Sequence, residues 1–546
     1  MIDDLLRSEV EAWIALDTDP KSAAVLRAWL EKGDEEKLRK SFSGFLQFGT
    51  AGLRGPMGPG PSCMNRAVVS RAAAGLATYM KARNLKSVVI GRDARYGSED
   101  FTFESAEIFS GAGLDVFILP RPLPTPVLAF AVNELRLDAG VMVTASHNPK
   151  EDNGYKVYLG GDVDGVRYYG SQIVPPADVQ IAAEIAAIQT VQPRGSKWTV
   201  LDDGIFDAYV ARTIKISKKS FSNKIVYSAM HGVGTETVQA VFKAAGYAAP
   251  ILVTEQSAPD PDFPTVQFPN PEEPGAIDLS LKVARENGAD LVIANDPDAD
   301  RCAAAALDPQ LGWRMLRGDE VGALLGYFIA EELPETTIGK SFANSIVSSS
   351  ILSKIAAGHG IEFHETLTGF KWLAKIPNLG FGYEEALGYA VDALSVNDKD
   401  GVSAALMLAQ CQGVLAERGL TVLEYLDEVW NKYGFHRTEQ ISIRVEDLAQ
   451  VDVTLARLRA TKPTAIAGFK VTLFEDLLDP SGDLPPTNGL RIWLDNGIRI
   501  IIRPSGTEAK LKCYIEVVRP GGAPADKAEA EDMVVALRSQ LLKELS

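Results

Sequence analysis

One unit recurs three times along the chain and limits the folds open to it. An apolar strand runs into a polar turn, a helical stretch follows, and a glycine turns the chain into a second strand. SVVIGRDARYGSED begins the first copy at Ser87, and GAGLDVFIL ends it, turning at Gly113. NKIVYSAMHGVGTETV begins the second at Asn223, and VFKAAGYAAPILV turns at Gly246. GKSFANSIVSSS begins the third at Gly339, and KIAAGHGIEFHE is read as turning at Gly358. Strands alternating with helices in this way predict parallel α/β sheets, with ligands at the C-terminal ends of the strands. A chain of 546 residues exceeds what one core holds, so the copies read as separate domains.

The flanks differ. Ile2 to Leu38 alternates apolar and charged residues at helical spacing and predicts an amphipathic arm. Leu46 to Ser62, rich in Gly and Pro, reads as an ordered loop. From about His436, ISIRVEDL, FKVTLFEDL, NGLRIWLDNGIRIIIRPSG and KLKCYIEVV alternate as strands of an antiparallel α+β domain. A helix from Pro524 to Leu545 closes it, with its proline where a first turn tolerates one.

Charge excludes some partners. The 55 Lys and Arg face 72 Asp and Glu, a net −17, which argues against nucleic acid and anionic membrane. An anionic substrate stays open if the cations gather at one place. The four cysteines form no CxxC pair, which predicts reduced thiols, a cytoplasmic protein and no zinc. MIDDLLRSEVEAW lacks the apolar core of a signal peptide, and no run is long enough to span a bilayer.

Several short motifs carry chemistry. LVIANDPDADR is a strand ending in Asp296, Asp298 and Asp300. Three crowded carboxylates repel one another unless a cation joins them, and a hard divalent ion, Mg²⁺ above all, suits oxygen ligands. An EF-hand is excluded, because its required Gly and Glu positions hold Arg301 and Leu307. IIRPSGTEAKLKCY sets Arg503, Ser505, Gly506 and Thr507 beside Lys510 and Lys512, a phosphate-sized polar loop. GFGYEEALGY carries Glu384 and Glu385, acceptors suited to sugar hydroxyls. TLTGFKWLAK adds Thr368, Gly369 and Lys371, and FGTAGLRG adds Arg54. VTASHNP places Ser146 at the end of an apolar run. It lacks the G-x-S-x-G elbow of a hydrolase, and His147, adjacent in sequence, would normally point elsewhere. Ser146 is then a helix cap or a phosphoryl carrier.

TASHNP, DPDADR, GYEEALG and RPSGTEAK, in that order, resemble the α-D-phosphohexomutase superfamily. FGTAGLRG and TGFKW fit the same pattern, and TASHNPKEDNGYKVY with GFGYEEALG is most similar to the phosphoglucomutase-2-like and phosphopentomutase branch. The resemblance implies four domains around a central cleft: three related α/β domains with mixed sheets and a C-terminal α+β domain. Their expected extents are 1–212, 213–318, 319–436 and 437–546. It implies Ser146 as phosphoserine and metal ligand, Asp296, Asp298 and Asp300 as the other Mg²⁺ ligands, and Lys156 as general acid/base. Arg54 and Arg301 match cations beside the phosphoserine, and His147 joins them as a catalytic candidate. Thr368, Gly369, Lys371, Glu384 and Glu385 would bind the sugar; Arg503, Ser505, Gly506, Thr507 and Lys512 would hold its phosphate.

The implied activity moves a phosphoryl group between the 1-position and the terminal hydroxyl of a sugar phosphate, glucose or mannose. It runs through a bisphosphate that also serves as activator, in a monomer or homodimer. One position departs from the glucose-type G-E-x-S motif: Ala386 replaces its serine, which favours ribose or deoxyribose phosphates. Two rivals stand: a D-x-D phosphatase with Asp296 as nucleophile, and a sugar-phosphate binder without activity. His231, His359, His364 and His436 have no partner identifiable in the sequence.

Overall fold

The computed structural model describes residues 2–49, 52–189, 193–445, 448–482, 484–505 and 510–545. The chain divides into two compact units: Met1–Met315 with Gly388–Gly413, and Leu316–Leu387 with Val414–Ser546.

In the first unit the expected arm is three short helices, Asp4–Leu16, Pro20–Lys32 and Glu35–Ser41. The side chains of Asp3, Asp19 and Asp34 each accept a hydrogen bond from a first-turn backbone N–H, so the sequence restarts the helix three times. Gly33, at φ +69°, ends the second. Ile2, Leu6, Val10, Leu26 and Leu38 form their common core.

The first sheet contains β1 (Leu53–Pro56), β2 (Ser87–Arg92), β3 (Asp115–Ile118), β4 (Ala139–Val143), β5 (Asp152–Leu159), β6 (Ser171–Gln172) and β7 (Thr199–Val200). Its order is β1-β5-β4-β2-β3-β7, with β6 on β5. The second contains β8 (Ile225–Ser228), β9 (Ile251–Leu252), β10 (Leu291–Ala294), β11 (Ala303–Asp308) and β12 (Gly312–Met315), in the order β9-β8-β10-β11-β12. In the second unit, β13 (Ser341–Ser345) lies between β14 (Glu362–Thr366) and β15 (Leu379–Glu384).

These three sheets share a parallel triplet in which the first strand is central and the next two flank it. Around it, β5 joins β4 and β11 joins β10 antiparallel, so the sheets are mixed. The connections leave the first strand in opposite directions, which opens a crevice at its C-terminal end. The third strand of each triplet ends there: β4 runs into Ser146, β10 into Asp296 and β15 into Glu385.

Two local expectations are corrected. The stretch Leu46 to Ser62 contains β1, whose Leu53 to Pro56 pair antiparallel with Tyr155 to Asp152. A four-residue strand without alternation is invisible until its distant partner is known. In the third repeat Gly358 is the last helical residue, and Gly360, at φ +67°, makes the turn that Gly113 (+85°) and Gly246 (+81°) make in the others.

The C-terminal sheet contains β16 (Phe435–Arg444), β17 (Ala465–Ile466), β18 (Phe469–Asp476), β19 (Leu490–Leu494), β20 (Ile498–Pro504) and β21 (Lys510–Arg519), in the order β16-β21-β20-β19-β18-β17. All its pairs are antiparallel. The helix Pro524–Leu545 packs on β16 and β21, as the sequence predicts. Among the described residues no helix is long and apolar enough to cross a membrane.

The loop after β8 supports the loop after β10. Val233 N–H donates to the Pro297 carbonyl at 2.9 Å, and a Cβ on Gly232 would lie 2.2 Å from Pro297 Cα. Backbone cannot yield as a side-chain tip does. Gly232→Ala is expected to destabilise the protein by about 1–3 kcal/mol by displacing the aspartate turn. Thermal denaturation of the variant checks this.

Candidate active site

Ser146 is buried and holds φ +52°, a left-handed conformation that a residue with a Cβ adopts at a cost. Its N–H donates to Thr144 Oγ1 at 2.9 Å. Arg95 pins the turn that follows: its guanidinium donates to the carbonyls of Ser146 (2.6 Å), Asn148 (2.7 Å), Pro149 (2.8 Å) and Asp152 (3.2 Å). Arg54, on β1, donates to Asn148 Oδ1 at 3.1 Å.

The aspartate turn is equally constrained. Asn295 spans it, accepting from Tyr227 Oη at 2.7 Å and donating to the Arg301 carbonyl at 2.6 Å. Ala299, between two of the aspartates, is at φ +52°. All three carboxylates are buried, and one oxygen from each lies within 4.8 Å of the others.

The bonding within this triad is uneven. Asp296 accepts from Ser146 Oγ at 2.5 Å through Oδ2 and from Arg301 N–H at 3.0 Å through Oδ1. Asp298 Oδ2 accepts from Lys156 Nζ at 2.7 Å and Thr125 Oγ1 at 2.6 Å. Asp300 Oδ2 accepts from Lys156 Nζ at 2.8 Å, with Lys399 Nζ at 3.3 Å. Asp298 Oδ1 and Asp300 Oδ1 are buried with no hydrogen-bond partner. Such atoms cost free energy unless something fills the role, and bare carboxylate oxygens fit a hard cation. The residues present therefore suit a divalent metal ion.

Electrostatics follow from this packing. Burial and the neighbouring Asp298 and Asp300 raise the Asp296 pKa well above the carboxylate range. Burial also works on Asp298 and Asp300, but Lys156 lowers both, with Lys399 adding to the effect on Asp300. Burial opposes the charge of Lys156, and the two carboxylates more than offset it, raising its pKa. His147 does not point away from Ser146: its Nδ1 is 3.2 Å from Ser146 Oγ, because the left-handed serine turns the chain back on itself. Burial, Arg301 and Arg54 hold its imidazole well below its ordinary value, so it is neutral.

Lys399 and Thr125 escaped the sequence reading. Lys399 belongs to NDKDG, a polar run bounded by glycine, and that spacing was the available signal. Asp398 orients this run, accepting from Tyr158 Oη at 2.9 Å and Gln172 Nε2 at 2.8 Å. Asp400 accepts from Tyr209 Oη at 2.9 Å.

In the second unit, Glu384 Oε1 accepts from Gly369 N–H at 2.7 Å, where Gly369 sits at φ +113°. Glu385 accepts from Ser345 and Ser348 hydroxyls, each at 3.3 Å, and its N–H donates to Ser348 Oγ at 3.1 Å. Thr368 Oγ1 is buried with no partner. Lys371 lies in the short helix Phe370–Leu373, adjoining that glycine. Arg503 and Lys512 are opposite each other on β20 and β21, and Ser505 N–H donates to the Lys510 carbonyl at 2.8 Å. Gly506 and Thr507 lie outside the described residues.

His436, without a partner in sequence, lies 2.9 Å from Glu516. Glu516 also accepts from Arg499 at 2.9 Å, Ser349 Oγ at 2.7 Å and Ser350 N–H at 2.8 Å, fixing the turn that carries Ser348. His231 meets Thr265 Oγ1 at 2.8 Å, His359 lies 3.5 Å from Glu331, and His364 3.2 Å from Glu362.

A serine ending one strand against carboxylates ending its counterpart, with cations on both, is the make-up of a phosphoryl-transfer enzyme. The comparisons make that particular. Four domain descriptions of phosphoglucomutase/phosphomannomutase match in order: α/β/α domain I at 46–191, domain II at 206–308, domain III at 317–433 and the C-terminal domain at 441–536. A Haemophilus influenzae protein named "Probable phosphomannomutase" is 46% identical over 478 residues, 86% of this chain and 96% of that one. A phosphopentomutase of Pongo abelii is 34% identical, covering 99% of this chain and 96% of that one. The open form of parafusin, a Paramecium phosphoglucomutase, shares the fold at TM-score 0.71 and 19% identity, over 92% of this chain and 95% of that one. The chain belongs to the phosphoglucomutase/phosphomannomutase family. It is a phosphosugar mutase, an isomerase, with the expected three α/β domains and C-terminal domain.

The ion cluster in the second unit has a pH signature. Burial alone would raise the Glu516 pKa, but Arg499, His436 and Ser349 pull it well below the carboxylate range. An unfolded chain protonates first, near pH 4.3, so this contribution is full above that value and is lost as pH falls further. Glu516→Gln is expected to cost about 3 kcal/mol at pH 7 and to flatten the loss of stability between pH 5 and pH 2. Urea midpoints of parent and variant across that range test both statements.

Proposed function

We propose that phospho-Ser146 transfers its phosphoryl group to the free hydroxyl of a hexose monophosphate, glucose or mannose, and recovers one from the opposite end of the resulting bisphosphate. The observation that carries this is Ser146 Oγ at 2.5 Å from Asp296, beside two carboxylate oxygens that nothing else engages. Asp296, Asp298 and Asp300 would hold Mg²⁺, which would supply charge neutralisation for the phosphoryl oxygens. Lys156, Arg54 and Arg301 add positive charge from the protein. As the new P–O bond forms, the bond to Ser146 Oγ breaks, and the serine ends as a hydroxyl with the proton given up by the sugar oxygen. Such a transfer depends on placement and charge more than on covalent novelty.

In this reading Thr368, Gly369, Lys371, Glu384 and Glu385 take the sugar. Arg503, Ser505, Gly506, Thr507 and Lys512 take the phosphate that does not react. Domains run 1–212, 213–318, 319–436 and 437–546, each giving one loop. A bisphosphate that escapes leaves an unphosphorylated serine, so added sugar bisphosphate acts as activator. The four matched phosphoglucomutase/phosphomannomutase domains, in order along the chain, favour the mutase over the phosphatase alternative. A second reading, pentose phosphate as main substrate, is favoured by Ala386, which lacks the hydroxyl of G-E-x-S, and by the phosphopentomutase relative.

Peptide mapping after treatment with glucose 1,6-bisphosphate and Mg²⁺ is expected to place an acid-stable phosphate on Ser146, removed by a sugar monophosphate. Ser146→Ala should lose it, with turnover down at least about 10³-fold. No phosphate on the parent's Ser146 would overturn the mechanism. Restoring the hydroxyl with Ala386→Ser should raise hexose over pentose kcat/KM by about 2–10-fold, the worth of one hydrogen bond. An unchanged ratio would remove Ala386 from the specificity argument.

A further inference from the structure

We infer that Thr125 is the positioning residue of the metal centre, selecting which oxygen of Asp298 faces the cation. The inference rests on the reading of the three aspartates as a metal site. Thr125 reaches Asp298 twice: its hydroxyl donates to Oδ2 at 2.6 Å and its N–H to the main-chain carbonyl at 2.9 Å. Both residues are fully buried. With Lys156 Nζ also on Oδ2 at 2.7 Å, that oxygen is saturated and Oδ1 alone is left without a partner. A carboxylate held by one donor can rotate and exchange its oxygens; two donors from different directions hold it in one orientation.

The sequence around Thr125 is built to keep it still. It reads RPLPTP, with prolines at 122, 124 and 126 fixing φ on both sides, and Thr125 is the first residue of the helix Thr125–Glu134. Leu123, fully buried, ties the run to β2 through its N–H bond to the Arg92 carbonyl at 3.1 Å. The β-branched threonine has few rotamers to choose from. Thr125 lies in the segment matched as domain I and Asp298 in that matched as domain II, so the bond joins the two within one compact unit. Partners that orient a ligand in this way are typically worth 10–100-fold in metal affinity.

The test is Mn²⁺ binding to the purified protein without substrate, read by electron paramagnetic resonance, for the parent, Thr125→Val, Thr125→Ser and Asp298→Asn. Thr125→Val, which keeps the shape and loses the donor, is expected to weaken binding 10–100-fold. Thr125→Ser should stay within about 3-fold of the parent, an outcome that mere loss of packing would not give. If Thr125→Val does not purify folded, Thr125→Ala against Thr125→Ser makes the same comparison. Equal affinity in the parent and the variant lacking the hydroxyl would overturn the inference while leaving the metal site intact. A parent that binds no Mn²⁺, or binds it equally after Asp298→Asn, would overturn the metal reading and this inference with it.

Discussion

Three carboxylates buried within 4.8 Å of one another are the constraint around which the first unit is organised. At such separations each like-charge pair costs about 4 kcal/mol even at an effective dielectric of 20. Lys156 bridges Asp298 and Asp300, Lys399 approaches Asp300, and Asp296 accepts hydrogen bonds from Ser146 Oγ and the Arg301 N–H. These groups come from β5, from the NDKDG turn and from the loop after β4. The segment Gly388–Gly413 therefore belongs to the first unit electrostatically as well as by packing. Tyr158, two residues beyond Lys156 on the same face of β5, holds Asp398 and so helps place Lys399.

Topology explains why a serine, an aspartate cluster and a glutamate pair play related parts. Each follows the third strand of the same parallel triplet. The scaffold offers one recurrent position, the exit of that strand, and three chemistries occupy it. A non-glycine residue in the left-handed region accompanies each: Ser146, Ala299 and Leu387. Those conformations turn the chain sharply enough to present side chains from a strand end instead of continuing the strand.

Much of this was legible in the sequence, for identifiable reasons. Repeated strands and helices announce themselves by periodicity, and the Asp triad, Ser146 and the glutamate pair sit in short runs whose chemistry is local. What stayed hidden depends on distant pairing. β1 needs β5, Glu516 needs His436 and Arg499, and Thr125 lies 173 residues from the aspartate it orients. The direction of His147 was misjudged because sequence neighbours diverge only when the backbone between them is extended or helical, and Ser146 is neither. The mixed character of the sheets was implied by the family resemblance and not by periodicity, since an antiparallel partner adds no period of its own.

The return of residues 388–413 to the first unit has a consequence for biosynthesis. Lys399 is translated roughly a hundred residues after Asp300, about 5–20 s later at roughly 5–20 residues per second. Through that interval Lys156 is already synthesised, and Asp398, the partner of Tyr158, is not. The strands of both sheets in the first unit precede Lys399 in the chain, but the protein's own charge balance at the aspartate cluster waits for it. The last segment of the first unit to be synthesised is thus the one that completes the cationic side of its aspartate cluster.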